Sequence, residues 1–101
     1  MLFFADIEVN AKELSLEKLW DLWEAETEAA AAAADGGMVK GLYKVAGQRR
    51  VLAVLDVPDH DTIDRIFMAG LPMANYLSFR EITPVREYTD FAADVRNRWQ
   101  G

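Results

Sequence analysis

Carboxylates and arginines are the side chains with which this chain could do chemistry. It has no cysteine and a single histidine, His60. A thiolate nucleophile, a disulfide frame and a multi-histidine metal site are therefore excluded. No phosphate-cradling glycine loop, nucleophile elbow, dinucleotide fingerprint or metal-ligand spacing occurs in it. What remains is proton transfer by a carboxylate and anion binding by a cation. Glu24, Glu26 and Glu28 crowd one helical stretch, but at about 100° per residue they do not share a face. Glu24 and Glu28 fall beside Glu17 and Asp21, on an acidic, solvated side. Glu26 falls on the apolar flank, between Leu19, Leu22, Ala29 and Ala33. A carboxylate in apolar surroundings has its pKa raised, which makes it a usable general acid or base near neutral pH. The plainer alternative is a boundary glutamate paired with a lysine or arginine.

Arg49 and Arg50 are adjacent at the start of a strand, so they must point to opposite faces. One of them can reach inward and hold a carboxylate by its planar fork; the other is then a solvated side chain. Lys44 and Arg80 are comparable candidates on neighbouring strands. Tyr43 and Tyr76 could line a pocket and donate a hydrogen bond, although each also fits an ordinary core position. His60 reads as a helix-start residue on the surface. Trp20 and Trp23 read as core or interface rather than as a substrate box.

The elements that must position these groups centre on Gly41–Asp59. Two apolar, β-branched runs, Lys40–Val45 and Arg49–Val57, flank a break at Ala46-Gly47-Gln48. A glycine in so short a break supplies positive φ, and the pattern predicts a tight hairpin. Leu2–Val9 reads as a first strand. Ser15 is placed to cap a helix from about Leu16 to Asp35, with Leu16, Leu19, Trp20, Trp23, Thr27, Ala30 and Ala34 on one stripe. The small residues of Ala29–Ala34 would let another element approach closely, and Gly36-Gly37 stops the helix. Asp59 caps a second helix reaching about Ala69. Tyr76–Glu87 is a fourth strand, with Pro84 as an interruption or bulge suited to an edge. A short last helix starts at Thr89 or Asp90, with Phe91, Val95 and Trp99 at i, i+4 and i+8.

The order β-α-β-β-α-β plus a tail helix is the ferredoxin-like α+β pattern. It leaves one sheet face needing cover. The hairpin strands are apolar on both phases (Val51, Ala53, Leu55 and Leu52, Val54), so a sheet-to-sheet dimer is the simplest solution. A length of 101 residues fits one domain spanning residues 1–101. A net charge of −6 argues against non-specific nucleic-acid binding. No basic, apolar leader opens the chain and no run approaches membrane-spanning length, so no membrane partner is expected and the cytoplasm is the expected compartment.

The ordered set Met1-Leu2-Phe3, Ala25-Glu26-Thr27-Glu28, Leu42-Tyr43-Lys44-Val45-Ala46-Gly47, Asp56-Val57-Pro58 and Leu71-Pro72 with Tyr76 resembles the muconolactone Δ-isomerase family over about residues 1–88. The resemblance implies sheet-to-sheet homodimers and often a larger ring, typically a decamer. It implies proton movement within a small unsaturated lactone bearing a carboxylate, without metal or organic cofactor. By this resemblance Glu26 is the base, Arg49 or Lys44 the anion clamp, and Tyr76 part of the pocket lining. Two departures stand out: Phe4 and Gln48 occupy positions where family members commonly carry histidine. With the alanine run and the aromatic tail helix, they point to a divergent relative acting on a larger or more apolar substrate. The rival readings are a same-fold cyclase or cofactor-free oxygenase acting on a polyketide-like compound in a secondary pathway, and a non-catalytic dimeric binding protein.

Overall fold

The computed structural model describes residues 1–98. Along it run β1 (Leu2–Val9), α1 (Leu16–Asp35), β2 (Val39–Lys44), β3 (Arg50–Asp56), α2 (His60–Arg65), β4 (Leu77–Val85) and α3 (Tyr88–Arg96). The strands form one sheet in the order β2-β3-β1-β4, and every neighbouring pair is antiparallel. This is the ferredoxin-like arrangement expected from the element order.

Local chemistry accounts for most boundaries. The Ser15 hydroxyl accepts the Lys18 N–H at the start of α1, and Gly37, at φ +83°, ends it. Gly47, at φ +77°, turns the hairpin between β2 and β3. Asp59 caps α2 by accepting from the Thr62 N–H. The second helix does not run unbroken to Ala69. After Arg65 it widens into a π turn over Ile66–Gly70, which closes over the Arg65 carbonyl. A Cβ on Gly70 would stand 3.3 Å from that oxygen, so glycine admits the wide turn. Tyr76 belongs to a 3₁₀ turn, Ala74–Tyr76, before β4. Pro84 does not break β4; it stays in register opposite Phe3, and the irregularity lies between Asp6 and Ile7, where Arg80 is the extra residue. The edge position of β4 tolerates the missing proline N–H. Trp99, expected on the tail-helix stripe, lies outside the described residues. The tail helix begins slightly early, at Tyr88, and is held to the end of β4 by an Arg86–Asp94 ion pair.

The sheet has two unlike faces. Phe3, Ala5 and Ile7 of β1 and Ala53 and Leu55 of β3 turn toward the helices and meet Ile63 and Phe67. Phe67 stacks on Phe79 at 4.5 Å between ring centres. A second cluster joins Val9, Ala11, Leu19 and Met73. The other face carries Phe4, Asp6, Leu52, Val54 and Arg50 by strand alternation. There the Arg50 guanidinium forks onto Asp6, with Nε to Oδ1 at 2.7 Å and Nη2 to Oδ2 at 2.6 Å. The arginine holds the Asp6 carboxyl below its ordinary range, so this pair stays ionised beside Leu52, the residue opposite Asp6 in β3.

Candidate active site

The 20-residue helix α1 has one buried residue, Leu19. Its first turns seal against the Val9 cluster. Its later turns stand away from the sheet and leave a cavity of about 740 Å³. The cause is side-chain size. Ala29, Ala30, Ala31, Ala33 and Ala34 all line the gap, and a methyl group cannot reach across to the strands. Within this chain the small-residue run leaves room beside the strands rather than a close-packed contact. Helix propensity keeps the run helical without tertiary support.

Glu26 sits on the wall of this cavity. It is half-buried, whereas Glu24 and Glu28 are exposed, as the helical spacing predicts. Its Oε2 accepts the Met73 N–H at 3.2 Å, which fixes the carboxylate to the loop before β4. Burial raises the Glu26 pKa above its ordinary value, and the Met73 hydrogen bond opposes that only in part. The group is therefore a carboxylate with one oxygen anchored and a strengthened affinity for a proton.

The two adjacent arginines do face opposite ways. Arg49 lines the cavity; Arg50 is engaged with Asp6 on the far side of the sheet. Lys44, opposite Val51, also borders the cavity, and its Nζ donates to the Val45 carbonyl at 2.9 Å. Gln48, the departure in the hairpin turn, stands beside them. Val9 N–H donates to the Arg49 carbonyl at 2.9 Å, and Val9 packs with Met73, whose N–H holds Glu26. The cations and the carboxylate thus line the same cavity, Arg49 and Lys44 from the hairpin and Glu26 from the middle of α1.

Two candidates, Tyr76 and Arg80, do not line the cavity, and a third, Tyr43, borders it only along β2. Tyr76 does not line the cavity; it packs against the cluster of Leu19 and Met73, because the 3₁₀ turn points it back at the helix. Arg80 lies on the opposite face, 3.9 Å from Glu8, since it is the extra residue of the β4 irregularity. Tyr43 borders the cavity along β2, but it pairs with Leu52, on the outer face. There its ring covers Gly41, so that a Cβ on Gly41 would stand 3.3 Å from Tyr43 Cε2. Phe4 is on that outer face as well, remote from Glu26.

Trp23 packs against the cluster of Val9, Leu19 and Met73, as its core reading expects, and with Trp20 it also borders the cavity. Their ring centres are 6.3 Å apart, and Trp20 is 53 % exposed. The usable signal for the cavity was the pairing of two large indoles with five alanines on one helix, which cannot pack evenly on a sheet. No helix among the described residues is long and apolar enough to cross a membrane.

A family model described as muconolactone delta-isomerase matches residues 1–90. Among solved structures, the crystal structure of muconolactone isomerase aligns with a TM-score of 0.67 at 27 % identity, over 86 % of this chain and 91 % of that one. No curated protein matches the chain.

Proposed function

The chain belongs to the muconolactone delta-isomerase family, and from that membership we propose that residues 1–101 form one isomerase domain. In it Glu26 shifts a proton within an unsaturated lactone that bears a carboxylate. The observation that carries the reading is Glu26 itself: half-buried on a cavity wall, anchored through one oxygen by Met73, and raised in pKa by burial.

The chemistry follows from that placement. The γ-hydrogen of an α,β-unsaturated lactone is acidic, because its removal leaves a dienolate. Glu26 takes that proton and returns it at the α-carbon, so the double bond moves from α,β to β,γ and no atom is gained or lost. A base whose pKa lies nearer the working pH both accepts and returns a proton readily. Arg49 holds the substrate carboxylate, with Lys44 as a second cation at the same rim. Charge-assisted hydrogen bonds of that kind contribute about 1.5–3 kcal/mol each. The donor that stabilises the dienolate oxygen is open to the backbone of the hairpin turn and to Gln48.

The outer sheet face, with Phe4, Leu52, Val54 and the Asp6–Arg50 pair, is read as the contact of a homodimer, with a decamer as the larger assembly that resemblance implies. A same-fold cyclase or oxygenase would also use a long apolar cavity. Arg49 and Lys44 on the wall of the same cavity as Glu26 favour the isomerase.

The test is proton NMR of muconolactone with the protein in deuterated water, for the wild type and Glu26→Gln. Deuterium should enter the product at the α-carbon, and the variant should lose about 10²- to 10⁴-fold in kcat, the usual contribution of a positioned acid–base group. Turnover that survives Glu26→Gln sinks the choice of base. No exchange by the wild type at high protein concentration removes this lactone as a substrate.

A further inference from the structure

The cavity is far larger than the reaction centre requires. A lactone acid the size of muconolactone has about ten non-hydrogen atoms. Allotting each the roughly 30 Å³ that water takes in the liquid gives about 300 Å³, under half of the 740 Å³ present. The gap is half open to solvent, so the surplus is an apolar groove, and a ligand laid along it gains dispersion contacts that the lining atoms otherwise lack.

The surplus space also has a direction. Arg49, Lys44 and Gln48 lie at the hairpin-turn end, and Glu26 lines the cavity from the middle of α1. From there α1 runs along the cavity to Ala33 and Ala34, and Met38 follows it. The Met38 carbonyl accepts from the Asp56 N–H at 2.7 Å, which places this end beside Leu55, at the opposite end of β3 from Arg50. From Trp23 to Ala34 the helix rises about 16 Å. That far end is walled by alanines, Met38, Leu55 and Phe67 and carries no charged group among its lining residues.

We propose that the substrate is an amphipathic lactone acid. Its anionic head and enolisable ring sit at Arg49 and Glu26. An apolar body of about ten to fifteen further carbons, by the same allotment of volume, lies along the alanine wall. This rests on the isomerase reading of Glu26 and adds the substrate class. The alanine run sets the specificity, since each methyl side chain stands where a larger one would exclude the body.

The test is calorimetric titration of the full chain with muconolactone and with analogues carrying butyl, octyl and decyl groups on the ring β-carbon. Each buried methylene should tighten Kd about three- to fourfold, until the chain outgrows the cavity. Ala33→Leu should erase the gain for the octyl and decyl compounds. The methyl ester of the octyl compound should bind at least about tenfold more weakly than its acid, through the lost pairing with Arg49. Affinity independent of chain length overturns the proposal. So does a gain with length that Ala33→Leu leaves intact, because the chain then binds elsewhere. Proton exchange in deuterated water separates the two readings. Exchange with muconolactone but flat affinity sinks only the amphipathic substrate. Length-dependent binding of an octyl compound that undergoes no exchange sinks the isomerase reading on which it rests.

Discussion

Two helices lie over the same face of one sheet, and they treat it differently. The short α2, with the π turn behind it, drives Ile63 and Phe67 into the strands, where both are buried and Phe67 stacks on Phe79. The long α1 buries only Leu19 and then lifts away over five alanines. Length does not decide which helix holds the fold; side-chain size at the facing positions does. The sheet has the same apolar character under both. One helix has been used to close the core, and the other to keep a hollow open beside a carboxylate.

The contrast breaks most visibly at two aromatic residues. Phe67→Ala should cost about 3–5 kcal/mol, the range for deleting a buried phenylalanine, read from urea melts at constant m-value. Trp20→Ala removes a larger side chain, yet it should stay within about 0.5 kcal/mol, as an exposed position does. Substrate affinity should report the reverse order. If Trp20→Ala destabilises as much as Phe67→Ala, α1 is a packing helix and the two helices are alike.

Filling the hollow sharpens the comparison further. Ala33→Leu should raise stability by about 0.5–2 kcal/mol, the usual gain from filling a cavity. A leucine keeps helix propensity nearly unchanged, so the effect isolates contact with the strands. The matching change on the other helix, Ile63→Phe, meets a closed core and should lose about 1–3 kcal/mol by overpacking. Opposite signs at two positions over one sheet would establish that only one side of the core is complete.

The same difference explains what could be read from the residues alone. Strand alternation, the Ser15 and Asp59 caps and the Gly36-Gly37 and Gly47 signals are local, so the elements and their ferredoxin-like order were legible. Helical spacing alone put Glu26 on the inner flank and Glu24 and Glu28 in water. The split of Arg49 from Arg50 followed from a period of two; which one faced inward depended on the register with β1. The positions of Tyr76 and Arg80 turned on a 3₁₀ turn and a one-residue irregularity, and neither has a strong local signature. The hollow itself was missed because alanines favour close approach only when a neighbour arrives, and that is a tertiary event.

Titration gives the smallest effect and still separates the two helices, since each carries one perturbed carboxylate. Asp59, at the head of α2, is held below its ordinary pKa by the Thr62 hydroxyl, which donates at 2.6 Å, and by the Thr62 N–H. Its stabilising contribution is present above the unfolded carboxylate pKa and is lost as pH falls through the lower folded value. Glu26, on α1, is shifted upward from 4.5 by burial. The native state then holds the proton more tightly than the unfolded chain, so stability falls as pH rises from the unfolded value through the raised folded one. Urea melts from about pH 3 to about pH 8 should therefore give opposite slope changes. Asp59→Ala should remove stability at neutral pH and flatten the acid limb. Glu26→Gln should add stability at neutral pH while removing activity. In the wild type the base must be ionised to accept the γ-proton, so kcat/KM should drop on the acid side with a midpoint above 4.5. A midpoint at or below that value would mean the hollow is wet around Glu26, and that α1 shelters no more than α2 does.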